Sequence, residues 1–190
     1  LNEIVLCVGH LADKIEAFAK DGSEFGMKIS YSREDKELLG TAGAIKNAQT
    51  LLNDVFCVLN GDSFLPINPL EPIEYFKQNS LKAMILTYRN HNQFDKSNIV
   101  AQDGLVKVYD RSNNGIGMEL IDYGLQIFNK EVLDLIPKNQ FNNLDFLYQK
   151  LIERGELAAF EVNEPFYEVG SLPGITRLSQ YLEQGRLCRR

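Results

Sequence analysis

Apolar runs alternate with helical patterns over the first half of the chain, and this alternation most constrains what it can fold into. Residues 4–8 and Val55–Leu59 are continuous apolar runs, and a glycine follows each of them closely. Such runs predict strands that are covered on both faces. Because strands that alternate with helices are typical of a parallel sheet, we predict an α/β fold whose first half is Rossmann-like and doubly wound.

The second half of the chain has a different pattern. The dipeptide Asp103-Gly104 separates two apolar segments, residues 98–101 and 105–109, and predicts a β-hairpin. Further strands are predicted at residues 120–128, 158–162 and 166–169, and helices at 131–136, 144–154 and 173–184. The sequence contains neither a repeat nor a linker rich in Gly, Pro or Ser, so residues 1–190 are predicted to form a single domain with a mixed sheet.

Composition excludes several classes of partner. The net charge is −6 and the basic residues are scattered among acids, which argues against nucleic acid. No apolar run approaches the ~20 residues that cross a bilayer, so no membrane association is predicted. Three well-separated cysteines, Cys7, Cys57 and Cys188, do not form a disulfide framework or a metal cluster. We expect reduced, buried thiols and a cytoplasmic location.

Two acidic residues are candidates for a Mg²⁺ site. Asp62 follows the apolar run Val55–Leu59 directly after Asn60-Gly61, where ligands bind in open α/β sheets. The alternative is a turn residue, since Asn-Gly-Asp is common in turns. Glu168 lies in a short apolar segment, so its carboxylate either points to solvent or meets a cation. Together the two acids suit Mg²⁺, which takes one or two carboxylates besides phosphate oxygens and water.

The segment Gly40-Thr41-Ala42-Gly43 joins a glycine-bearing turn to a helix that is predicted to run to about Leu52. Its backbone and the Thr41 hydroxyl could face the base or ribose of a nucleotide. The alternative is an ordinary helix start in which Thr41 is the capping residue. The segment lacks the lysine of a P-loop, so that class of phosphate site is excluded.

Other polar residues are less specific. Glu119, Asp122 and Arg111 could bind sugar hydroxyls and a phosphate, or could be surface charges. His10 and His91 lack the spacing of metal ligands. Neither a Gly-x-Ser-x-Gly elbow nor a Gly-x-Gly-x-x-Gly motif after a strand is present, which argues against covalent hydrolases and dinucleotide-dependent oxidoreductases.

Four segments in this order resemble the sugar-1-phosphate nucleotidyltransferases along essentially the whole chain. They are Leu39-Gly40-Thr41-Ala42-Gly43-Ala44, Leu59-Asn60-Gly61-Asp62, Ile121-Asp122-Tyr123-Gly124-Leu125 and Phe166-Tyr167-Glu168-Val169-Gly170-Ser171. Tyr109-Asp110-Arg111, and Glu168 where most relatives carry Asp, are most similar to the D-glycero-D-manno-heptose 1-phosphate guanylyltransferase branch. The resemblance implies the nucleotide-diphospho-sugar transferase fold.

The resemblance also implies a reaction and residue roles. An NTP, with GTP favoured, and a sugar 1-phosphate, with a heptose or hexose favoured, would give a nucleoside diphosphate sugar and pyrophosphate. Asp62 and Glu168 would hold Mg²⁺, with Asp62 and Arg111 serving the chemistry. Gly40, Thr41 and Gly61 would lie by the nucleotide. The sugar pocket would be lined by Asn98, Glu119, Tyr123 and Gly124. Arg111 stands where many relatives carry a lysine, and homo-oligomerisation is left open.

The chain departs from the family in one respect. The Gly-rich loop that binds the triphosphate, with its following Arg and later Lys, is not found, and the chain opens at Leu1. We therefore expect that the first βα unit of the family's fold precedes this sequence. The alternative function is a truncated, non-catalytic domain that binds a sugar nucleotide or another protein.

Overall fold

A computed structural model describes residues 2–34, 37–93, 95–112 and 117–184. Leu1 and Cys188 lie outside the described residues. The strands are β1 Glu3–Val8, β2 Lys28–Arg33, β3 Val55–Leu59, β4 Ser63–Phe64, β5 Ala83–Arg89, β6 Ile99–Gln102, β7 Leu105–Tyr109, β8 Leu120–Asn129, β9 Leu157–Val162 and β10 Tyr167–Glu168. The α-helices are α1 Ala12–Ala19, α2 Gly40–Asn47, α3 Leu70–Gln78, α4 Leu144–Glu153 and α5 Leu172–Glu183. Short 3-10 helices occupy Ser23–Phe25, Gln49–Leu51 and Lys130–Leu135.

The chain divides into two compact units. The first unit comprises Leu1–Phe56 and Asn129–Lys150, and the second comprises Cys57–Phe128 and Leu151–Arg190. The boundaries fall inside β3, β8 and α4. The expectation of a single domain stays a prediction.

The first unit contains the predicted alternation of strands and helices. Strands β1 and β2 pair in parallel, with Glu3 opposite Lys28, and α1 connects them. The buried apolar side chains of this unit come from both of its chain segments and include Val8, Ala12, Ala42, Ile45, Ala48, Val132, Leu133, Leu144 and Leu147. The parallel pair confirms the sequence prediction for this part of the chain.

Helices α2 and α4 cap each other within the first unit. The Asn142 carbonyl accepts hydrogen bonds from the Ala42 and Gly43 amides at the start of α2, at 2.9 and 3.1 Å. In return, the Thr41 hydroxyl oxygen accepts from the amide of Leu144, the first residue of α4, at 2.9 Å. The prediction that Thr41 caps its own helix is therefore wrong, because Thr41 lies inside α2 and its oxygen faces α4.

Helix α2 is also shorter than expected. It ends at Asn47, and the 3-10 helix Gln49–Leu51 replaces the predicted continuation to Leu52. The helix expected at residues 131–136 is likewise a 3-10 helix, Lys130–Leu135. The apolar spacing alone does not distinguish these hydrogen-bond patterns over one or two turns.

The second unit is built on a mixed six-stranded sheet with the order β3-β8-β5-β9-β7-β6. Strands β5 and β9 pair in parallel, whereas β8 pairs antiparallel to β5. The hairpin of β6 and β7 turns at Asp103 and Gly104, which have φ of 53° and 73° as a type I′ turn requires. The predicted hairpin and the mixed sheet are confirmed.

Several residues in the apolar runs of the sequence are less buried in the structure than the runs predict. Cys7 is exposed and Cys57 is half-buried by accessible surface, so neither residue is fully buried as expected, although partial burial of the thiols still raises the pKa of both. Leu59 at the end of β3 is 56% exposed. Strand β3 stands at one end of the sheet order, with β8 as its neighbour among the described strands, and an edge strand is covered less than a central one. Every helix in the described part of the chain is too short or too polar to cross a bilayer.

The mutual capping predicts that Thr41 contributes to stability through its hydroxyl oxygen. Replacing Thr41 by Val keeps the branched shape but removes the acceptor for the Leu144 amide, and should lower the free energy of unfolding by about 1 kcal/mol. Urea denaturation measures this change. Thr41→Ser, which retains the oxygen, should be close to wild type, and equal losses in both variants would contradict the capping role.

Candidate active site

A polar cavity of about 510 Å³ opens in the second unit. Four acidic and three basic side chains line it, so it combines groups that bind cations with groups that bind anions. The lining residues are Asn60, Asp62, Ser63, Asp95, Lys96, Asn98, Arg111, Ile121, Asp122, Tyr123, Gly124, Phe166, Glu168 and Arg177.

The floor of the cavity is a bulge in β8. Ile85 pairs with Gln126 and Thr87 pairs with Asp122, so three residues of β8 oppose a single residue of β5. Gly124 lies in this bulge with φ of +91°, a backbone conformation that favours glycine. The bulge therefore bends β8 where the sheet meets the cavity.

Asp122 holds the bulge in place. One carboxylate oxygen accepts from the Gly124 amide at 2.9 Å and from the Gln126 side chain at 3.1 Å, and the other accepts from the Tyr109 hydroxyl at 3.2 Å. Burial raises the pKa of Asp122 above its ordinary value, while these hydrogen bonds and the charge of Arg111 act in the opposite direction. Asp122 is therefore a structural carboxylate rather than a surface charge.

The bulge positions the turn that carries Asp62. The Gly124 carbonyl accepts from the Asn60 amide at 3.2 Å, and a Cβ on Gly124 would lie 3.3 Å from the Asn60 side-chain nitrogen. The Ser63 amide donates to the Asn60 carbonyl at 3.2 Å, which closes a β-turn with Asp62 at its third position. Asp62 is therefore a turn residue, as one sequence interpretation proposed, and it also lines the cavity.

A two-residue ladder brings Asp62 and Glu168 together. Strand β4 pairs antiparallel with β10, with Glu168 opposite Ser63, and the Val169 amide donates to the Asp62 carbonyl at 2.8 Å. A Cβ on Gly170 would lie 3.3 Å from Glu168 Oε2 and 3.6 Å from Asp62 Oδ2. The two carboxylates therefore face one small space, which Gly170 leaves open.

The first turn of α5 surrounds the other oxygen of Glu168. Ser171 caps α5, accepts from the Gly174 amide at 3.1 Å, and donates its hydroxyl to Glu168 Oε1. A Cβ on Gly174 would lie only 2.2 Å from both the backbone oxygen and Oε1 of Glu168. Arg177 Nη2 is 3.9 Å from the same Oε1. The two oxygens of Glu168 thus have different neighbours, with α5 on one side and Asp62 on the other.

Three of the predicted sugar residues lie at the cavity together with Arg111. Asn98 is 7% exposed, and its side-chain oxygen accepts from the Asp122 amide at 3.1 Å. Tyr123 is 1% exposed and its ring meets Phe166 edge-on, with centroids 5.9 Å apart. Gly124 completes the group as the bulge residue. The structure brings these residues to Asp62 and Glu168, and their individual roles stay predictions.

Glu119, the fourth predicted sugar residue, does not line the cavity. Its carboxylate accepts from Arg89, which also forms a two-fold ion pair with Glu161 at 2.9 Å per contact. Because Arg89 and Glu161 lie at the ends of neighbouring strands, this group ties the ends of β5 and β9 together. The geometry therefore gives the predicted sugar contact of Glu119 no support.

The predicted nucleotide residues do not line the cavity either. Gly61 is exposed, and a Cβ there would have no described atom within 4 Å. Gly40 and Thr41 lie in the first unit, where a Cβ on Gly40 would be 2.7 Å from the Asn142 carbonyl oxygen. That carbonyl already accepts from the Ala42 and Gly43 amides, so these two amides at the start of α2 are not available to a phosphate. The nucleotide role of all three residues stays a prediction.

Sequence reasoning missed several lining residues. Asp95 and Lys96 come from a polar loop that carries no recognisable pattern. Arg177 had a usable signal: Ser171, Gly174 and Arg177 recur every three residues, a spacing that places them on one helix face towards β10.

The donor set fits a hard divalent cation that shares its coordination with a substrate. Within the described residues, His, Cys, Asp and Glu side chains form no group of three or more that could hold a metal ion. The pair Asp62 and Glu168 supplies two carboxylates around one open space. Mg²⁺ commonly uses such a pair and completes its shell with phosphate oxygens and water.

The chain is similar to known proteins in both sequence and fold. The model of the Nucleotidyl transferase family matches residues 1–185. The chain is similar to a UTP–glucose-1-phosphate uridylyltransferase of Synechocystis sp., at 30% identity over 90% of this chain. It is also similar to a D-glycero-alpha-D-manno-heptose 1-phosphate guanylyltransferase of Campylobacter jejuni, at 33% identity over 81% of this chain.

The coverage of these relatives is unequal. The chain spans 49% of the length of the Synechocystis relative and 69% of the Campylobacter relative. The crystal structure of HddC from Yersinia pseudotuberculosis matches with a TM-score of 0.76 at 20% identity, covering 96% of this chain and 79% of that chain. This likeness confirms the predicted fold type.

The close contact of α5 with Glu168 predicts that Gly174 tolerates no side chain. Replacing Gly174 by Ala places a methyl group against backbone that cannot yield without moving β10 or α5, and should cost about 1–3 kcal/mol of unfolding free energy. Thermal or urea denaturation checks this. Gly61→Ala adds the same methyl group in open space and is the matched control, so a similar loss in both variants would argue against the contact.

The raised pKa of Asp122 predicts a pH-dependent stability. The folded protein binds the Asp122 proton more tightly than the unfolded chain does. This proton therefore contributes to the free energy of unfolding below the ordinary Asp pKa of 3.8, and the contribution is lost as the pH rises. The free energy of unfolding of Asp122→Asn should therefore gain on that of wild type as the pH rises above the ordinary Asp pKa of 3.8. Urea titrations at several pH values measure the difference. Asp103→Asn in the hairpin turn is the control, and a difference that stays constant or shrinks would refute the effect.

Proposed function

The chain belongs to the nucleotidyl transferase family, as the sequence motifs predicted, and on that premise we propose that it transfers a nucleotidyl group from an NTP to a sugar 1-phosphate. The observation that carries this proposal is the shared space of Asp62 and Glu168 inside a cavity that three basic side chains also line. A substrate with phosphate groups suits both halves of this lining: the cations bind its oxygens, and the carboxylates bind its metal.

The reaction needs little covalent chemistry from the protein. An oxygen of the sugar phosphate forms a bond to the α-phosphorus of the NTP, while the bond to pyrophosphate breaks. Because the second pKa of a phosphate monoester is about 6, the nucleophile is largely ionised at neutral pH and requires no general base. The residues then have to orient two anions against each other and offset their repulsion.

Two groups of residues divide this task. Asp62 and Glu168 would hold Mg²⁺, which neutralises phosphate charge and orients phosphate oxygens when it is bound. Arg111 would bind the phosphate of the sugar 1-phosphate. Its charge already acts on Asp122 beside the bulge, so it is held near the floor of the cavity. An Arg there offers a planar fork where a Lys would offer a point charge.

The sugar would bind over the bulge. Gly124 presents backbone without a side chain, Asn98 presents a buried amide, and the buried ring of Tyr123 closes the wall. We propose a heptose or hexose as the sugar. The names of the relatives differ in the sugar, with a heptose for Campylobacter jejuni and glucose for Synechocystis. Because the relatives differ, this choice rests on the motifs of the chain itself.

For the nucleotide we propose GTP, with contacts from Gly40, Thr41 and Gly61. The motif at Gly40 and Thr41 would serve the base or ribose, because the neighbouring amides of Ala42 and Gly43 already donate to the Asn142 carbonyl. We also propose that the protein works in the cytoplasm on small substrates, without nucleic acid.

Pyrophosphate release tests the proposal. The protein should release pyrophosphate with one pairing of an NTP and a sugar 1-phosphate, in a screen that crosses the common NTPs with heptose, mannose, glucose and N-acetylhexosamine 1-phosphates. Asp62→Asn and Glu168→Gln should each lower kcat by about a hundredfold or more, because each removes a carboxylate from the shared space.

Asp103→Asn, an acid-to-amide change in the hairpin turn, is the matched control and should retain activity. A folded protein that binds a sugar nucleotide but releases no pyrophosphate with any pairing would support the non-catalytic alternative. Equal activity in the Asp62 and Asp103 variants would remove the proposed role of the carboxylate pair.

A further inference from the structure

Arg177 lies outside the four sequence segments that resemble the family, the last of which ends at Ser171. It lies on α5, lines the cavity, and places Nη2 3.9 Å from Glu168 Oε1. Its side chain is 38% exposed and that of Glu168 is 31% exposed, so the pair is half-shielded from water. Because water screens a half-shielded pair less than a fully exposed one, the attraction between the two charges is stronger than at an open surface.

The helix is built so that Arg177 faces Glu168. Ser171, Gly174 and Arg177 follow each other at intervals of three residues, which places them on one face of α5. Ser171 donates to Glu168 Oε1, and Gly174 leaves no room for a side chain between the helix and Glu168. Ser171 and Gly174 thus let α5 pack closely against Glu168. As a result the Arg177 guanidinium, one helical turn after Gly174, reaches the same oxygen, Oε1.

The opposite oxygen of Glu168 faces Asp62. Oε2 of Glu168 and Oδ2 of Asp62 both lie within 4 Å of the space that Gly170 leaves open. One carboxylate is therefore contacted by a cationic side chain at Oε1 and offered to a metal ion at Oε2. Positive charge at Oε1 lowers the affinity of Oε2 for a second cation.

We propose that Arg177 exchanges between Glu168 and a substrate phosphate, and that this exchange couples metal binding to phosphate binding. Without substrate, the guanidinium balances the charge of Glu168. With a phosphomonoester in the cavity, the guanidinium turns to the phosphate oxygens, for which its planar fork is suited, and Glu168 is left to the metal. This inference rests on the proposed metal role of Asp62 and Glu168.

Direct metal binding tests the exchange without any turnover. Mn²⁺ binding, measured by the loss of the free-ion signal in electron paramagnetic resonance, should be about fivefold tighter in Arg177→Met than in wild type, because a nearby positive charge is removed. Adding glucose 1-phosphate as the phosphomonoester probe should tighten Mn²⁺ binding about tenfold in wild type and about twofold or less in Arg177→Met.

Three further variants make the result decisive. Lys107→Met removes a positive charge from an exposed position of β7 that does not line the cavity, and should behave as wild type. Arg177→Lys keeps the charge without the fork, so it should bind Mn²⁺ alone as wild type does but show weaker coupling. Arg177→Gln carries the same expectation as Arg177→Met and replaces it if the Met variant does not fold.

The outcomes separate this inference from the proposed function. Unchanged or weaker Mn²⁺ binding in Arg177→Met would overturn the exchange. So would a tightening of Mn²⁺ binding by glucose 1-phosphate that is as large in Arg177→Met as in wild type. Either result would leave the carboxylate pair intact as the metal site. If Asp62→Asn binds Mn²⁺ as well as wild type does, the carboxylate pair is not the metal site, and both the exchange and the proposed metal role are overturned.

Discussion

The bulge in β8, held by the carboxylate of Asp122, is the constraint on which the cavity depends. It lets Gly124 approach the turn that follows β3, and that turn carries Asp62. The turn leads into β4, whose short ladder with β10 presents Glu168 beside Asp62. Each step is a short hydrogen-bonded contact rather than a large apolar interface. Small changes in the bulge should therefore be transmitted to the carboxylates, because each element is positioned by the previous one.

Charge balance explains why such a polar cavity can be stable. Four acids and three bases line it, and the carboxylates that are partly removed from water have partners on the chain. Asp122 has three hydrogen-bond donors, and Glu168 has the Ser171 hydroxyl and the Arg177 guanidinium. Unpaired buried carboxylates would be costly, so the same side chains that prepare the site for substrate also stabilise it in the absence of substrate.

Much of the fold was predictable because local patterns agreed with it. The hairpin at Asp103-Gly104 and the parallel pair of β1 and β2 follow from turn chemistry and from strand–helix alternation. The hydrogen-bond partner of Thr41 was not predictable, because its hydroxyl oxygen accepts from the amide of Leu144, which is 103 positions away in the sequence. The exposure of Cys7 was missed for a related reason: an apolar run shows a tendency to be buried, but the neighbours of a strand decide its coverage.

The sequence by itself determined the family, the mixed α/β fold and the two acids of the candidate metal site, because these depend on short motifs and on periodicity. The tertiary structure alone decided which residues meet. It joined Asp62 to Glu168 and added Arg177 to them. It also left Glu119 outside the cavity, paired with Arg89. The reason is physical: a motif specifies the type of side chain and its local backbone, whereas the partner of a charge depends on how distant segments pack around it.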